Sequence, residues 1–270
     1  MLGKSHALSG GVGWLAGSAL LAAAGHAPTA VAVVAGAAVS TGMALAPDLD
    51  HPESTISRSL GPITRWTALG VAATAARLRG VSCRHCLTGR RARGGHRGIT
   101  HTATGAIILG LLAGVLCALA GPAAGLWIVG LSVWLASHAA LSSGTRARIG
   151  DMLLPGRFRR LGKGAHRFAA AVGAILVAGV FVAAIHGSAG AWWWVGLAVS
   201  WGCLAHSLGD ALTFSAVPLC WPIRIRGCRW TPVGTPRWMR FRTGSPTETV
   251  VVWLMAAVGV GSILLLGAVW

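Results

Sequence analysis

Residues 9–24, 29–47, 103–120, 122–140, 168–186, 190–208 and 249–269 are runs of small and aliphatic residues that contain no Lys, Arg, Asp or Glu. Runs of this length cross or nearly cross a hydrocarbon core about 30 Å thick when helical. Inside lipid, only a helix or a closed barrel satisfies the backbone N–H and C=O groups. The chain is therefore expected to be all-α, a polytopic membrane helical bundle of about seven transmembrane or membrane-embedded helices. Its 270 residues are 54% hydrophobic and 11% charged, outside the range of soluble domains. The lipid bilayer is the first expected partner, and residues 1–270 read as one membrane-embedded domain without a soluble module.

The net charge of +17 raises nucleic acid as a partner, and its distribution argues against one. Nine basic residues fall between Arg58 and Arg97, seven between Arg146 and Arg167, six between Arg224 and Arg242, and the last is Lys4. Basic loops thus alternate with uncharged turns near 25–28, 121 and 187–191. This is the positive-inside pattern, and it places Lys4 and the three basic loops in the cytoplasm. No specific nucleic-acid partner is expected. The N-terminal segment imitates a signal peptide, but a second apolar run follows within a few residues, favouring a retained hairpin. Trp192, Trp193 and Trp194 stand at an outer helix end and read as an interfacial belt.

Between the apolar runs, the loop 48–101 reads as partly irregular and 141–167 as basic loop. Five prolines between Pro218 and Pro246 exclude a continuous helix there. The Cys83-x-x-Cys86 pair has zinc-knuckle spacing but no second Cys or His pair at suitable spacing nearby, which argues against a structural zinc.

Six acidic residues serve the whole chain, and most stand beside histidines or at helix ends. Asp48, Asp50 and His51 lie in "PDLDH", where the second apolar run ends. His96 and His101 bracket the entrance to the third in "HRGITH". His206 and Asp210, in "HSLGD", are four apart and share a helix face. His6 precedes the first helix and Glu248 opens the last. A topology drawn from Lys and Arg alone puts all of them on one membrane face. Imidazoles mixed with carboxylates suit a hard or borderline divalent cation, and such a cation offsets the cost of desolvating them. Glu53 reads as a solvated loop group, Asp151 as a partner of nearby arginines, and His138 and His166 as interfacial histidines.

In order along the chain, "SHALSG", "APDLDHPES", "HRGITHT", "AHSLGDALTFSAVPLCWP" and "RTGSPTE" resemble the YdjM-like family of bacterial inner-membrane proteins, described as metal-dependent hydrolases. The resemblance covers nearly the whole chain, apart from an expected inserted helical hairpin at about 139–190. It implies an inner-membrane location and, through a remote similarity to zinc-dependent phospholipase C and single-strand nucleases, phosphoester cleavage. Together with the residues above, it leads to an expected divalent metal centre, zinc for preference. His6, Asp50, His51, His96, His101, His206 and Asp210 are its candidate ligands. Asp48 or Glu248 is the candidate general base, and Arg97 is placed to meet an anionic group on a lipid or other phosphoester substrate. The alternative is a metal-binding scaffold or transporter without turnover. Transport is disfavoured because ionisable groups are missing from the middle of the apolar runs.

Overall fold

A computed structural model describes residues 1–51, 54, 56–57, 62–83, 97–141, 143–153, 163–187 and 191–270. The chain is an all-helical membrane bundle. Its helices are α1 (Gly3–Ala23), α2 (Ala30–Met43), α3 (Pro62–Ser82), α4 (Ala103–Ala140), α5 (Ser143–Leu153), α6 (Lys163–Ile185), α7 (Trp194–Ala211) and α8 (Pro246–Val269). Among the described residues, four helical stretches are long and apolar enough to cross a membrane: Ala30–Asp50, Ala103–Ala140, Phe168–Ile185 and Pro246–Val269.

Helix α4 combines two of the apolar runs. Straight, 38 residues would extend for roughly 57 Å, nearly twice a hydrocarbon core. Gly121, at φ 60° and ψ −146° just before Pro122, breaks it. On one side of the break, Gly105 packs on Ile99 and Gly114 on Gly196. On the other, Gly125 packs on Trp192, and the backbone of Ser132 lies against Gly42 near the end of α2. The two halves therefore run out and back. A left-handed φ at this turn is easily adopted only by glycine.

Small residues let the helices approach one another. A methyl group at Gly10 or at Gly202 would strike the carbonyl of Ser40, so α1 and α7 both close on α2 at this level. Ser40 Oγ also donates to the Ala198 carbonyl at 3.1 Å, using a hydroxyl that lipid would leave unsatisfied. The largest buried cluster lies between α2, α4, α6 and α7, around Val39, Val129, Val133, Val195 and Val199.

Several expectations about the connections and helix ends change. Within 48–101, α3 is a regular helix whose Ala68, Ala72 and Ala75 form a buried stripe, while Trp66 and Leu69 are exposed. Alanine at helical spacing leaves no apolar run to see. The loop 141–167 contains α5, where Asp151 meets His166 of α6 at 3.1 Å, so His166 has a carboxylate partner. His138 is 1% exposed beside Trp134, hence a core histidine rather than an interfacial one. Of the three consecutive tryptophans, only Trp193 faces outward; Trp192 and Trp194 are buried and stack at 5.5 Å.

Residues 213–245 are non-helical, as the prolines require, apart from a short 3₁₀ turn at Arg237–Met239. Isolated bridges pair Thr213 with Phe241 and Val217 with Val233. The Cys83 Sγ at the end of α3 lies 3.9 Å from Cys228 Sγ in this segment. Cys86, His85 and Glu53 lie outside the described residues.

Candidate metal centre

The starts of α1 and α8, the ends of α2 and α7, and the entrance to α4 come together at one end of the bundle. Here the short turns Pro47–Asp50 and Ile99–His101 extend α2 and precede α4. His6, Asp50, His101, His206 and Asp210, drawn from separate parts of the chain, are all buried, between 0% and 3% exposed. So much polarity inside an apolar protein must be internally satisfied.

His206 and Asp210 share a face of α7, with Nε2 and Oδ2 3.9 Å apart. The Nδ1 of His206 sits 2.8 Å from the Ala44 carbonyl. A carbonyl can only accept, so Nδ1 carries the proton and Nε2 presents its lone pair to the centre. His101 is fixed comparably. Its Nδ1 lies 3.4 Å from Asp50 Oδ2 and 3.0 Å from Thr100 Oγ1, whose hydroxyl hydrogen goes to Asp50 at 2.6 Å. With Nδ1 directed to these acceptors, His101 Nε2 also faces inward, 3.2 Å from His206 Nε2.

Two lone-pair nitrogens so close suit a shared cation. On tetrahedral zinc, with Zn–N near 2.0–2.1 Å, two nitrogens stand about 3.3 Å apart. His6 completes the imidazole set: its ring stacks on His206 at 3.8 Å, and its Nε2 is 3.3 Å from Asp210 Oδ1. Asp48 Oδ1 is 3.7 Å from His206 Nε2, on a side chain 30% exposed. The donors form two overlapping groups, His6–His206–Asp210 and Asp48–His101–His206, each with its atoms within 4.8 Å of one another. Three imidazoles and two carboxylates at this separation fit a divalent cation in donor type and spacing, with His206 common to both groups.

The other predicted residues occupy different places. Asp50 belongs to neither group; its Oδ2 accepts from the Arg97 backbone N–H at 3.1 Å and from Thr100, beside His101 Nδ1. It is placed as the carboxylate that orients His101, a candidate ligand. His51 follows the Pro47–Asp50 turn and likewise belongs to neither group. His96 lies outside the described residues. Glu248, 2% exposed, accepts the Leu2 N–H and the Gly244 N–H at 2.7 Å each, one on either oxygen, which ties the start of α1 to the start of α8.

Arg97 reaches the centre. Its guanidinium is 3.1 Å from Asp210 Oδ2 and donates to the Ala216 carbonyl at 3.3 Å, leaving the side chain 25% exposed. Its backbone adopts φ 60°, uncommon for a residue with a Cβ. Arg79, on α3, donates to the Arg97 carbonyl and lies over the Trp230 ring at 5.2 Å. Burial pulls the Arg79 pKa below its ordinary value, against the opposing pull of the Asp50 charge. The amino group of Met1 is 3.0 Å from Asp210 Oδ1.

Sequence reasoning did not single out Thr100, the Ala44 carbonyl or Arg79. Thr100 adjoins His101 and could have been noticed as a short hydroxyl beside a candidate ligand. A backbone carbonyl and one arginine among many have no sequence signature.

The family model described as YdjM inner membrane protein matches residues 1–159, more than half of the chain. That segment carries His6, Asp48, Asp50, Arg97 and His101; His206 and Asp210 lie beyond it. No match is found among curated proteins or among solved structures. A helical membrane bundle with its polar groups gathered at one end, together with this match, makes the chain a member of the YdjM inner membrane protein family.

Proposed function

We propose that this protein is a membrane-bound metal-dependent hydrolase, acting at the cytoplasmic face on a phosphoester or lipid-like substrate. The observation that carries this reading is the convergence of His6, His101, His206, Asp48 and Asp210, from separate helices and turns, on one small volume. The alternating basic loops favour the cytoplasmic side for that end of the bundle.

Of these, His6, His101, His206 and Asp210 would hold the cation, with Asp48 at its rim and zinc favoured by the imidazole-rich donor set. A divalent cation held there would supply Lewis acidity and lower the pKa of water toward neutral. The chain's own groups do the rest. Hydrogen bonds to Ala44 and Asp50 hold His206 and His101 with Nε2 inward. Asp48, the partly exposed carboxylate at the rim, is placed to take a proton from an attacking water. Glu248 has both oxygens engaged by backbone amides, so the base role falls to Asp48. Arg97 presents N–H donors at the opening, where they can orient an anionic oxygen.

The test is hydrolysis of a panel of phosphodiesters and phospholipids by detergent-purified protein, before and after chelation. Expected are activity restored by zinc and a loss of about 10²-fold or more in Asp48→Asn, the usual scale for general-base catalysis. A panel silent at full metal occupancy would favour a non-catalytic metal-binding membrane protein. Activity indifferent to chelation would contradict the metal-dependent reading.

A further inference from the structure

Between Ala211 and Thr247 the chain carries six arginines and no acidic residue. Arg224, Arg226, Arg237 and Arg242 are exposed, and among the described residues no carboxylate pairs with them. Large apolar side chains stand between these charges, Ile223 beside Arg224, and Trp238 and Met239 beside Arg237. Ile223 is 66% and Trp238 83% exposed. Apolar tips flanked by arginine suit the boundary between hydrocarbon and head groups, where the tip is buried and the charge stays wet.

Hydrogen bonds fix the depth of both tips. The Leu219 carbonyl accepts from the Ala103 N–H at 3.0 Å and the Trp221 carbonyl from Thr104 Oγ1, which ties them to the first two residues of the membrane-crossing α4. Phe241 N–H donates to the Leu212 carbonyl at the end of α7 at 3.2 Å, and the membrane-crossing α8 opens at Pro246. Both tips therefore lie at the level where spans enter the hydrocarbon core.

They also adjoin lipid-facing surface. Helical spacing leads from Thr104 to Ile108, Leu111 and Val115, all exposed along α4. Leu212 likewise continues the face of Leu197 and Leu208, exposed along α7. Ile223, two residues beyond Trp221, and Trp238, three before Phe241, thus stand at the rim of the apolar outer surface.

We propose that the segment 213–245 is a docking surface for the head groups of anionic phospholipids in the leaflet it borders. Ile223, Trp238 and Met239 enter the tops of the acyl chains, and the exposed arginines take the phosphates. Charge complementarity and depth carry this assignment, which is independent of the hydrolase reading. Guanidinium groups match phosphate oxygens in pairs, and an anionic surface attracts each nearby arginine by about fivefold in affinity. Arginine and tryptophan also suit single-stranded nucleic acid, but a surface at the rim of the spans meets lipid first.

Full-length protein would be placed in nanodiscs of phosphatidylcholine and phosphatidylglycerol in equal parts, then released and weighed by native mass spectrometry. Wild type should retain phosphatidylglycerol in preference. Arg224→Gln/Arg226→Gln and Arg237→Gln/Arg242→Gln, all at exposed positions, should each lower the retained ratio about fivefold or more at an unchanged thermal midpoint. Arg65→Gln/Arg77→Gln, which removes the same charge from exposed positions on α3, is the control and should change it less. An equal fall in the control would spread the attraction over the whole basic face and overturn the assignment, as would no preference in wild type. Trp238→Phe should weaken quenching of protein fluorescence by phosphatidylcholine brominated near the head group; unchanged quenching would take that tip out of the bilayer and contradict the proposal. A lipid ratio unaltered in both double variants, with their arginines needed instead for binding a single-stranded oligonucleotide, would give the surface to nucleic acid and overturn the lipid assignment.

Discussion

Asp50 and Asp48 are two residues apart and have different surroundings. Asp50 is fully buried and accepts from Arg97 N–H and Thr100 Oγ1 beside His101, whereas Asp48 is partly exposed and faces His206. Asp50→Asn should keep the side-chain shape and weaken the orientation of His101. We expect metal affinity to fall about 10–100-fold, the usual effect of losing such a partner, with the bundle still folded. Competition with a chromophoric chelator would measure it; an unchanged affinity would remove Asp50 from this role. The division of labour between the two aspartates was hidden in the sequence. "PDLDH" exhibits two carboxylates and an imidazole, but which one meets the Nδ1 of His101 depends on a turn and on Thr100, far along the chain. His206 and Asp210 were easier to see, because a four-residue interval fixes a common helix face.

At the scale of elements, close approach depends on glycine. A side chain at Gly10 meets the Ser40 carbonyl, which cannot retreat because Ser40 also contacts α7 through Gly202 and Ala198. Gly10→Val should cost about 1–3 kcal/mol through overpacking and lower the thermal midpoint in detergent. Gly17→Ala, in open space, should not lower it. A midpoint unchanged in Gly10→Val would show that α1 and α2 need not pack so tightly. The apolar runs located the membrane helices because hydrophobicity alone defines them, and the turn at Gly121 follows from length. Helices α3 and α5 escaped the same reading. Their sequences mix arginine with alanine, glycine and threonine, and the packing face of α3 consists of alanines that a search for apolar runs passes over.

At the scale of the whole molecule, charge and chemistry point to the same end of the bundle. His6, Asp48, His101, Asp210 and Glu248 lie where basic segments connect the helices, as the alternation of charged and uncharged loops predicts. In a cysteine-free background, Gly187→Cys should react with a membrane-impermeant maleimide on intact cells. Thr243→Cys, exposed at the opposite end, should react only after the inner membrane is opened. The reverse pattern would put the His/Asp centre outside the cytoplasm. The expected orientation comes from Lys and Arg alone. Which residues make the centre was legible only in part, since Arg97 reaches Asp210 through a left-handed turn and a contact with Arg79 that no spacing reveals.

The metal-affinity and hydrolysis expectations depend on the convergence of imidazoles and carboxylates being a metal site. The direct measurement is elemental analysis of the protein purified in detergent, alongside His101→Ala and Asp210→Ala, with folding checked by circular dichroism. The account predicts bound divalent metal, zinc foremost, in wild type and its loss or marked reduction in both folded variants. Unchanged metal content in both variants, or none in wild type after exposure to zinc, would contradict it.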